Sequence, residues 1–285
     1  MNVFVIGIGL IGGSLAKDIK MLYPHSKLFG IDSSEIHLKQ AFSLNIIDEM
    51  ASMNDLNKAH WVIVAVPVDV AVLLVPEVLD KIPSHALVLE VGSTKAVLCK
   101  AISKHKNRRN LLATHPIAGT EFSGPRAAHT GLFKGKTNII CEIDKTAFPI
   151  QEMALKLFAA LEMHIRYMKP KAHDKHIAYV SHLSHISSFM LGKTVIEKEQ
   201  NERDIFDLAG SGFESTVRLA KSSPAMWTPI FRQNKKNILG CLEEYIKNLK
   251  QFKKLIENDE YDSIFNELES TNKIKEILNG LQFKQ

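Results

Sequence analysis

The sequence predicts an α/β protein with a doubly wound, mostly parallel sheet, followed by an all-α C-terminal part. Three observations carry this expectation. Short continuous apolar runs alternate with helical stretches through the first half of the chain, as in parallel strands covered on both faces. A glycine-rich turn joins the first run to the first helix. After about Lys169 the apolar runs stop and only helical patterns remain.

The first strand, Val3–Ile6, leads into Gly7-Ile8-Gly9-Leu10-Ile11-Gly12, and a helix follows from Ile11 to about Met21. Gly7 allows the tight turn, Gly9 lets the backbone approach a pyrophosphate, and Gly12 lets the helix pack close to the sheet. The diphosphate then rests on the helix N-terminus. The second strand, Leu28–Ile31, ends on Asp32, some twenty residues beyond Gly12. Strand, glycine turn, helix and acidic residue together form the Rossmann dinucleotide fingerprint. Gly7, Gly9, Leu10, Ile11 and Gly12 are therefore cofactor candidates, with Asp32 and Ser33 at the ribose. A carboxylate there accepts from the ribose 2′-OH and repels a 2′-phosphate. Ser33 and Ser34 follow with no arginine, so NAD is favoured over NADP. Asp32 can also cap the helix beginning at Ser34-Glu35-Ile36.

Further strands are expected at Trp61–Val66, Ala86–Val91, Leu111–Thr114 and Thr137–Cys141, with helices at Glu35–Leu44 and Val70–Leu79. The parallel core takes the order 3-2-1-4-5-6. Trp61–Leu79 has the apolarity of a membrane span, but Pro67, Asp69, Pro76 and Glu77 interrupt it, and strand–turn–helix fits better. Beyond Lys169, helices are expected at Ala172–Glu197, Phe213–Lys221, Ala225–Glu257 and Asp262–Leu281. Ser223 caps the third of these and Pro224 fits its first turn. The reading divides residues 1–168, a dinucleotide-binding domain, from residues 169–285, an all-helical domain. The long amphipathic helices can pair between subunits or pack within their own chain.

A length of 285 residues fits two domains, and 45% hydrophobic with 24% charged residues fits a folded core rather than disorder. The net charge of +5 is mild and suits an anionic substrate and cofactor. The run Lys104-His105-Lys106-Asn107-Arg108-Arg109 reads as a solvated loop. It lacks interleaved aromatics, which argues against a nucleic-acid role. Cys99, Cys141 and Cys241 are odd in number and widely spaced, as expected of reduced, buried thiols in a cytoplasmic protein. No signal peptide fits, because the N-terminus is itself the first core strand.

In an open α/β sheet, ligands bind beyond the carboxyl ends of the strands. Three such ends read Val66-Pro67-Val68, Glu90-Val91-Gly92-Ser93-Thr94-Lys95 and Thr114-His115-Pro116. Val66 and Pro67 join the cofactor candidates. Ser93 and His115, on neighbouring ends, can handle protons in a nicotinamide crevice. In the helical part His182 and His185 are three apart and share a helix face. His173 and His176 do not extend that stripe and no third ligand matches, so no metal site is assigned.

The heptad His115-Pro116-Ile117-Ala118-Gly119-Thr120-Glu121 resembles the signature of the prephenate/arogenate dehydrogenase family. The resemblance extends through Glu90–Lys95, Ser181-His182-Leu183-Ser184-His185 and the Arg218–Trp227 stretch, and so spans essentially the whole chain. It implies NAD-dependent oxidative decarboxylation of prephenate to 4-hydroxyphenylpyruvate in tyrosine biosynthesis. His115 would be the general base, and Ser93 would orient His115 or the substrate hydroxyl. No metal or covalent adduct is required. Arg218 would hold a substrate carboxylate and His185 the pyruvyl side chain. Trp227 would lie near the pocket, and Thr120 and Glu121 would extend into the cleft, with Glu121 pairing with Arg218 or gating the site. The chain departs from the pattern at Ser184, where the family has proline. It departs again at Gly210-Ser211-Gly212-Phe213, where the family tends to a glycine run. Both leave prephenate against arogenate open. His185, and the lack of an obvious carboxylate to hold an ammonium, tilt the reading toward prephenate. A β-hydroxyacid dehydrogenase and a non-catalytic NAD(H) sensor are more distant readings. A homodimer through the helical domain is expected. With helices ending near Leu281, no appended regulatory domain is expected, nor a fused chorismate mutase before the first strand.

Overall fold

Successive apolar side chains on a strand point to opposite faces, so an unbroken apolar run needs cover on both. The computed structural model describes residues 1–199 and 204–282 and meets this demand with one sheet of eight strands. These are β1 (Asn2–Ile6), β2 (Lys27–Ile31), β3 (Glu49–Met50), β4 (Trp61–Val64), β5 (Leu87–Glu90), β6 (Leu111–Pro116), β7 (Thr137–Cys141) and β8 (His164–Met168). Their order is β3-β2-β1-β4-β5-β6-β7-β8. Every neighbouring pair is parallel except β6 with β7.

The expected 3-2-1-4-5-6 core is present from β3 to β6 once the two-residue β3 is counted. Both β3 and β8 are missing from the six apolar runs of the sequence. Glu49-Met50 is exposed, and β8 carries His164 and Arg166 on a partly exposed edge, so neither has the apolar signature.

The first five helices cover the two faces. Val3 and Val5 of β1 pack under α1 (Leu10–Leu22), α2 (Glu35–Ser43) and α5 (Phe148–Ala160). Phe4 and Ile6 point the other way, onto α3 (Val68–Lys81) and α4 (Ala96–Ala101).

Downstream, α6 (Pro170–Ile177) passes through a π-helical turn, Ala178–His182, into α7 (Leu183–Glu199). Then come α8 (Ser211–Val217), a 3-10 turn at Arg218–Lys221, α9 (Pro224–Gln233), α10 (Lys235–Glu257), α11 (Tyr261–Thr271) and α12 (Ile274–Gln282). Three expected helices are thus modified. Ala172–Glu197 contains the π turn, Phe213–Lys221 tightens at Arg218, and Ala225–Glu257 breaks at Asn234, whose φ and ψ are −102° and 19°. Ser223 stands at the cap of α9 and Pro224 in its first turn, but the Ser223 side chain makes no capping bond. The chain divides into two compact units, Met1–Lys235 and Lys236–Gln285. In the first, Trp227 and Ile230 of α9 form a small core with Val68 at the start of α3.

The basic run is not wholly solvated: Arg108 is buried, donating from Nη1 to the Leu111 carbonyl and pairing with Glu142 at 3.3 Å. All three cysteines are buried thiols, and desolvation pushes Cys99 and Cys141 up to about 12. Among the described residues no helix is long and apolar enough to cross a membrane.

The ends of β5 and β6 are tied by a buried ion pair. Lys95 is 0% exposed and Glu90 is 1% exposed. The Lys95 ammonium donates to Glu90 Oε2 and to the Thr114 carbonyl, while Glu90 Oε1 accepts the Gly92 N–H at 2.7 Å. Removing one partner strands a buried charge. Lys95→Met is therefore expected to destabilise folding by about 3–5 kcal/mol, with much of the loss restored by a second change, Glu90→Leu. Urea midpoints of the two variants check this.

Candidate active site

The glycine turn has the shape that a diphosphate needs. Gly7 adopts φ +88°, and a Cβ there would lie 2.5 Å from the Ala65 carbonyl oxygen. A Cβ on Gly12 would lie 2.1 Å from the Gly7 oxygen, so α1 cannot come this close with any other residue. Gly9 differs: its Cβ position meets no atom within 4 Å. No side chain caps α1 and no acidic residue occupies its first turn, which leaves the N–H groups around Leu10 and Ile11 for an anion.

Asp32 stands across the turn. Its Oδ2 accepts the Ile8 N–H at 2.9 Å and its Oδ1 accepts the Ser34 N–H at 2.8 Å. It therefore orders both the glycine turn and the start of α2, and each oxygen keeps a lone pair for a ribose hydroxyl. Ser33 is exposed beside it. Val66 lies against Gly7, and Pro67 is exposed at the cap of α3. These residues fit a dinucleotide.

His115 stands next to the end of β6, a strand paired on both sides. Its Nδ1 lies 2.8 Å from His173 Nε2, and His173 Nδ1 lies 2.8 Å from Asp174 Oδ1. Asp174 in turn accepts the backbone N–H groups of Lys95 at 2.8 Å and Ala96 at 2.9 Å. Asn234, which breaks the helix after α9, donates to the Asp174 carbonyl at 2.6 Å and contacts His182 Nδ1 at 3.1 Å. Burial holds His115 well below the usual histidine range, with His173, Lys95 and His182 adding to the effect. Burial works to raise Asp174, but its hydrogen bonds from His173, Lys95 and Ala96 prevail and hold it below the usual range. Ser93 lies half-buried in the loop after β5. Among the described residues it makes no hydrogen bond to His115, whose Nδ1 meets His173 instead.

The substrate-side candidates also converge. His185 and Trp227 stack with ring centroids 3.7 Å apart, and the His182 ring meets the same indole edge-on at 5.8 Å. His185 Nδ1 donates to the Ser181 carbonyl at 2.9 Å. Burial lowers its pKa, partly offset by that bond and reinforced by Arg218. Burial likewise brings His182 down to about 4. Trp227 Nε1 and His182 Nε2 are buried without a hydrogen-bond partner among the described residues.

Arg218, at the junction of α8 and the 3-10 turn, donates from Nη1 to Glu121 Oε2 at 3.0 Å. Glu121 is held below the usual range by its own backbone N–H and by that guanidinium. A carboxylate does therefore stand on the Arg218 side, which removes one of the two arguments that tilted the sequence toward prephenate. Thr120 is exposed, its Oγ1 accepting the Phe122 N–H at 3.3 Å. Among the described residues no cluster of three His, Cys, Asp or Glu could hold a metal.

Four residues of this network were not assigned from the sequence: His173, Asp174, Lys95 and Asn234. Lys95 lay within the Glu90–Lys95 run, yet nothing local shows that its ammonium turns inward. His173-Asp174 reads as an ordinary polar pair early in a helix, and its link to His115 spans 58 positions.

Two family models match the chain: prephenate dehydrogenase, nucleotide-binding domain, over residues 15–167, and prephenate dehydrogenase, dimerization domain, over residues 169–270. The prephenate dehydrogenase of Bacillus subtilis is 30% identical over all of this chain and 77% of its own length. The cyclohexadienyl dehydrogenase of Zymomonas mobilis is 26% identical, covering 96% of this chain and 94% of its own length. Among solved structures, the prephenate dehydrogenase of Aquifex aeolicus in complex with hydroxyphenyl propionate and NAD+ aligns with a TM-score of 0.88 at 30% identity, over 97% of each chain. The Synechocystis arogenate dehydrogenase aligns with a TM-score of 0.75 at 25% identity, over 97% of this chain and 99% of its own. The heptad resemblance, the glycine turn and these matches agree along the chain, which belongs to the prephenate dehydrogenase family.

Proposed function

We propose that this protein is an NAD-dependent prephenate dehydrogenase that converts prephenate to 4-hydroxyphenylpyruvate and CO2. The observation that carries this reading is a neutral imidazole, His115, at a strand end of a dinucleotide-binding sheet, with an arginine and a histidine–tryptophan stack available to a dianionic substrate. The arrangement fits on chemical grounds. His115 takes the ring hydroxyl proton as the carbinol carbon gives up hydride, and NAD, when bound, supplies the hydride acceptor. The electron pair of the breaking carbon–carboxylate bond then restores the aromatic ring. The proton returns from His115 to the phenolic oxygen, so the base ends as it began. Ser93 touches the substrate hydroxyl in this reading. Arg218 takes a substrate carboxylate bidentately and must exchange Glu121 for it. His185, with Trp227 behind it, faces the side chain, and Thr120 lines the cleft. Asp32, Ser33, Val66, Pro67 and the glycine turn hold the cofactor.

In this reading the functional boundary is at 168/169, which the meeting point of the two family models supports. Residues 169–285 carry substrate contacts and join two copies into a homodimer in the cytoplasm. An exposed apolar stripe on α10 (Leu239, Ile246, Leu249, Ile256) and the family's dimerization domain support that assembly.

One observation favours arogenate as a second reading. Because His185 Nδ1 donates to Ser181, the neutral ring offers an acceptor at Nε2, which suits an ammonium better than a keto oxygen.

Initial rates of NADH formation with prephenate and with arogenate test the reading directly. Faster turnover of prephenate is expected, and turnover of neither would reject the reading. His115→Asn should lower kcat by about 10²–10⁴-fold with NAD binding intact. Because the base must be neutral and its pKa is depressed, the wild-type rate should hold as pH falls through 6.5, the ordinary histidine value, and decline only in more acid solution. Arg218→Ala should raise KM for the substrate by about 10–100-fold with a smaller effect on kcat. Steady-state kinetics across pH reads all three outcomes.

A further inference from the structure

Resting on the reading of His115 as base, we propose that His173 and Asp174 are positioning residues that lock His115 in the Nδ1–H tautomer and keep Nε2 as the proton acceptor. The argument is a count of protons along one hydrogen-bonded line. Asp174 already accepts two backbone N–H groups, from Lys95 and Ala96, so it faces His173 as a carboxylate and an acceptor. His173 Nδ1 must then be the donor in its 2.8 Å contact with Asp174 Oδ1. We take the His173 ring as neutral, which leaves Nε2 with a lone pair, and this atom lies 2.8 Å from His115 Nδ1. His115 must therefore carry its proton on Nδ1, and its other nitrogen is left basic.

The anchoring explains why the line cannot flip. His173 is 1% and Asp174 3% exposed, so neither can trade its partner for solvent without losing a buried hydrogen bond. Asp174 cannot turn away from His173 without abandoning the first N–H groups of α4. Asn234 holds the backbone of the same residue from the other side. Groups of both signs bracket the line: the Lys95 ammonium beside His115, the Asp174 carboxylate at the far end, and the neutral His182 ring next to Asn234. When His115 takes the hydroxyl proton onto Nε2, the positive ring keeps its Nδ1–H bond to His173. The proton goes no further along the line, and it leaves again from Nε2. The base thus stands on β6, while the residues that orient it stand on α6, in the other half of the sequence.

Two substitutions of similar size separate orientation from bulk. His173→Gln places an amide oxygen near the position of Nε2 and keeps an acceptor for His115. His173→Asn places its amide near Nδ1, keeps the Asp174 side and loses the His115 side. With prephenate and saturating NAD, His173→Asn should lose about 10–100-fold in kcat, with KM and NAD affinity within about twofold of wild type. His173→Gln should return to within about threefold of wild type. Nitrogen-15 NMR of the His115 ring in the ligand-free protein should show one proton, on Nδ1, in the wild type and a mixture of tautomers in His173→Asn. Equal kcat in the two variants, whether intact or equally impaired, overturns the proposal. So does a wild-type His115 proton on Nε2. Full turnover by His115→Asn would instead remove the base assignment, and the NMR readout tells that failure apart from failure of the tautomer lock.

Discussion

The Lys95 ammonium is wholly buried, and a charge in that position is tolerable only while Glu90 and the Thr114 carbonyl both remain within reach. That requirement fixes the spacing between the ends of β5 and β6, the two strands that deliver Ser93 and His115. The backbone N–H of the same residue meets Asp174, which brings α6 to the same point. One residue thus joins two strand ends and a helix. The glycine turn, at the start of β1's crossover, needs only shape, but the end that carries His115 needs this charge to be held.

Placing a cation there has an electrostatic consequence for the ring next to it. Desolvation, His173 and Lys95 all act against protonation of His115, and His182 and His185 are also pulled toward the neutral form. The site therefore gathers imidazoles that act as hydrogen-bonding groups of defined polarity rather than as cations, and leaves exposed positive charge to Arg218. For a dianionic ligand this separates recognition from proton transfer. Arg218 supplies attraction at one end, already balanced by Glu121, and the neutral ring can accept a proton at the other.

How much of this was legible in the sequence depends on the range of the interaction. The glycine turn and Asp32 were legible because their geometry is local to one strand–turn–helix unit. His115 and Arg218 stood out through a resemblance spanning the chain, which left pairing with Arg218 and gating of the site as two alternatives for Glu121. The strands β3 and β8 escaped because an edge strand with polar residues has no apolar run to read. The break at Asn234 escaped for a different reason. Its side chain leaves the helix pattern to satisfy Asp174 and His182, and helical periodicity carries no trace of a partner 60 residues away. The π turn at His182 is of the same kind: a local rule yields where tertiary contacts re-aim a side chain.

The buried thiols give the protein a built-in record of its own opening. Attack by an alkylating reagent needs a thiolate, and burial both shields Cys99 and Cys141 and pushes their ionisation far above neutral pH. Cys241 is raised by burial as well, and it sits in the second compact unit while the other two sit in the first. Native molecules are thus silent to such reagents. Each sulfur becomes reactive only when the packing around it opens, so the order in which the three are labelled gives the order in which those regions open.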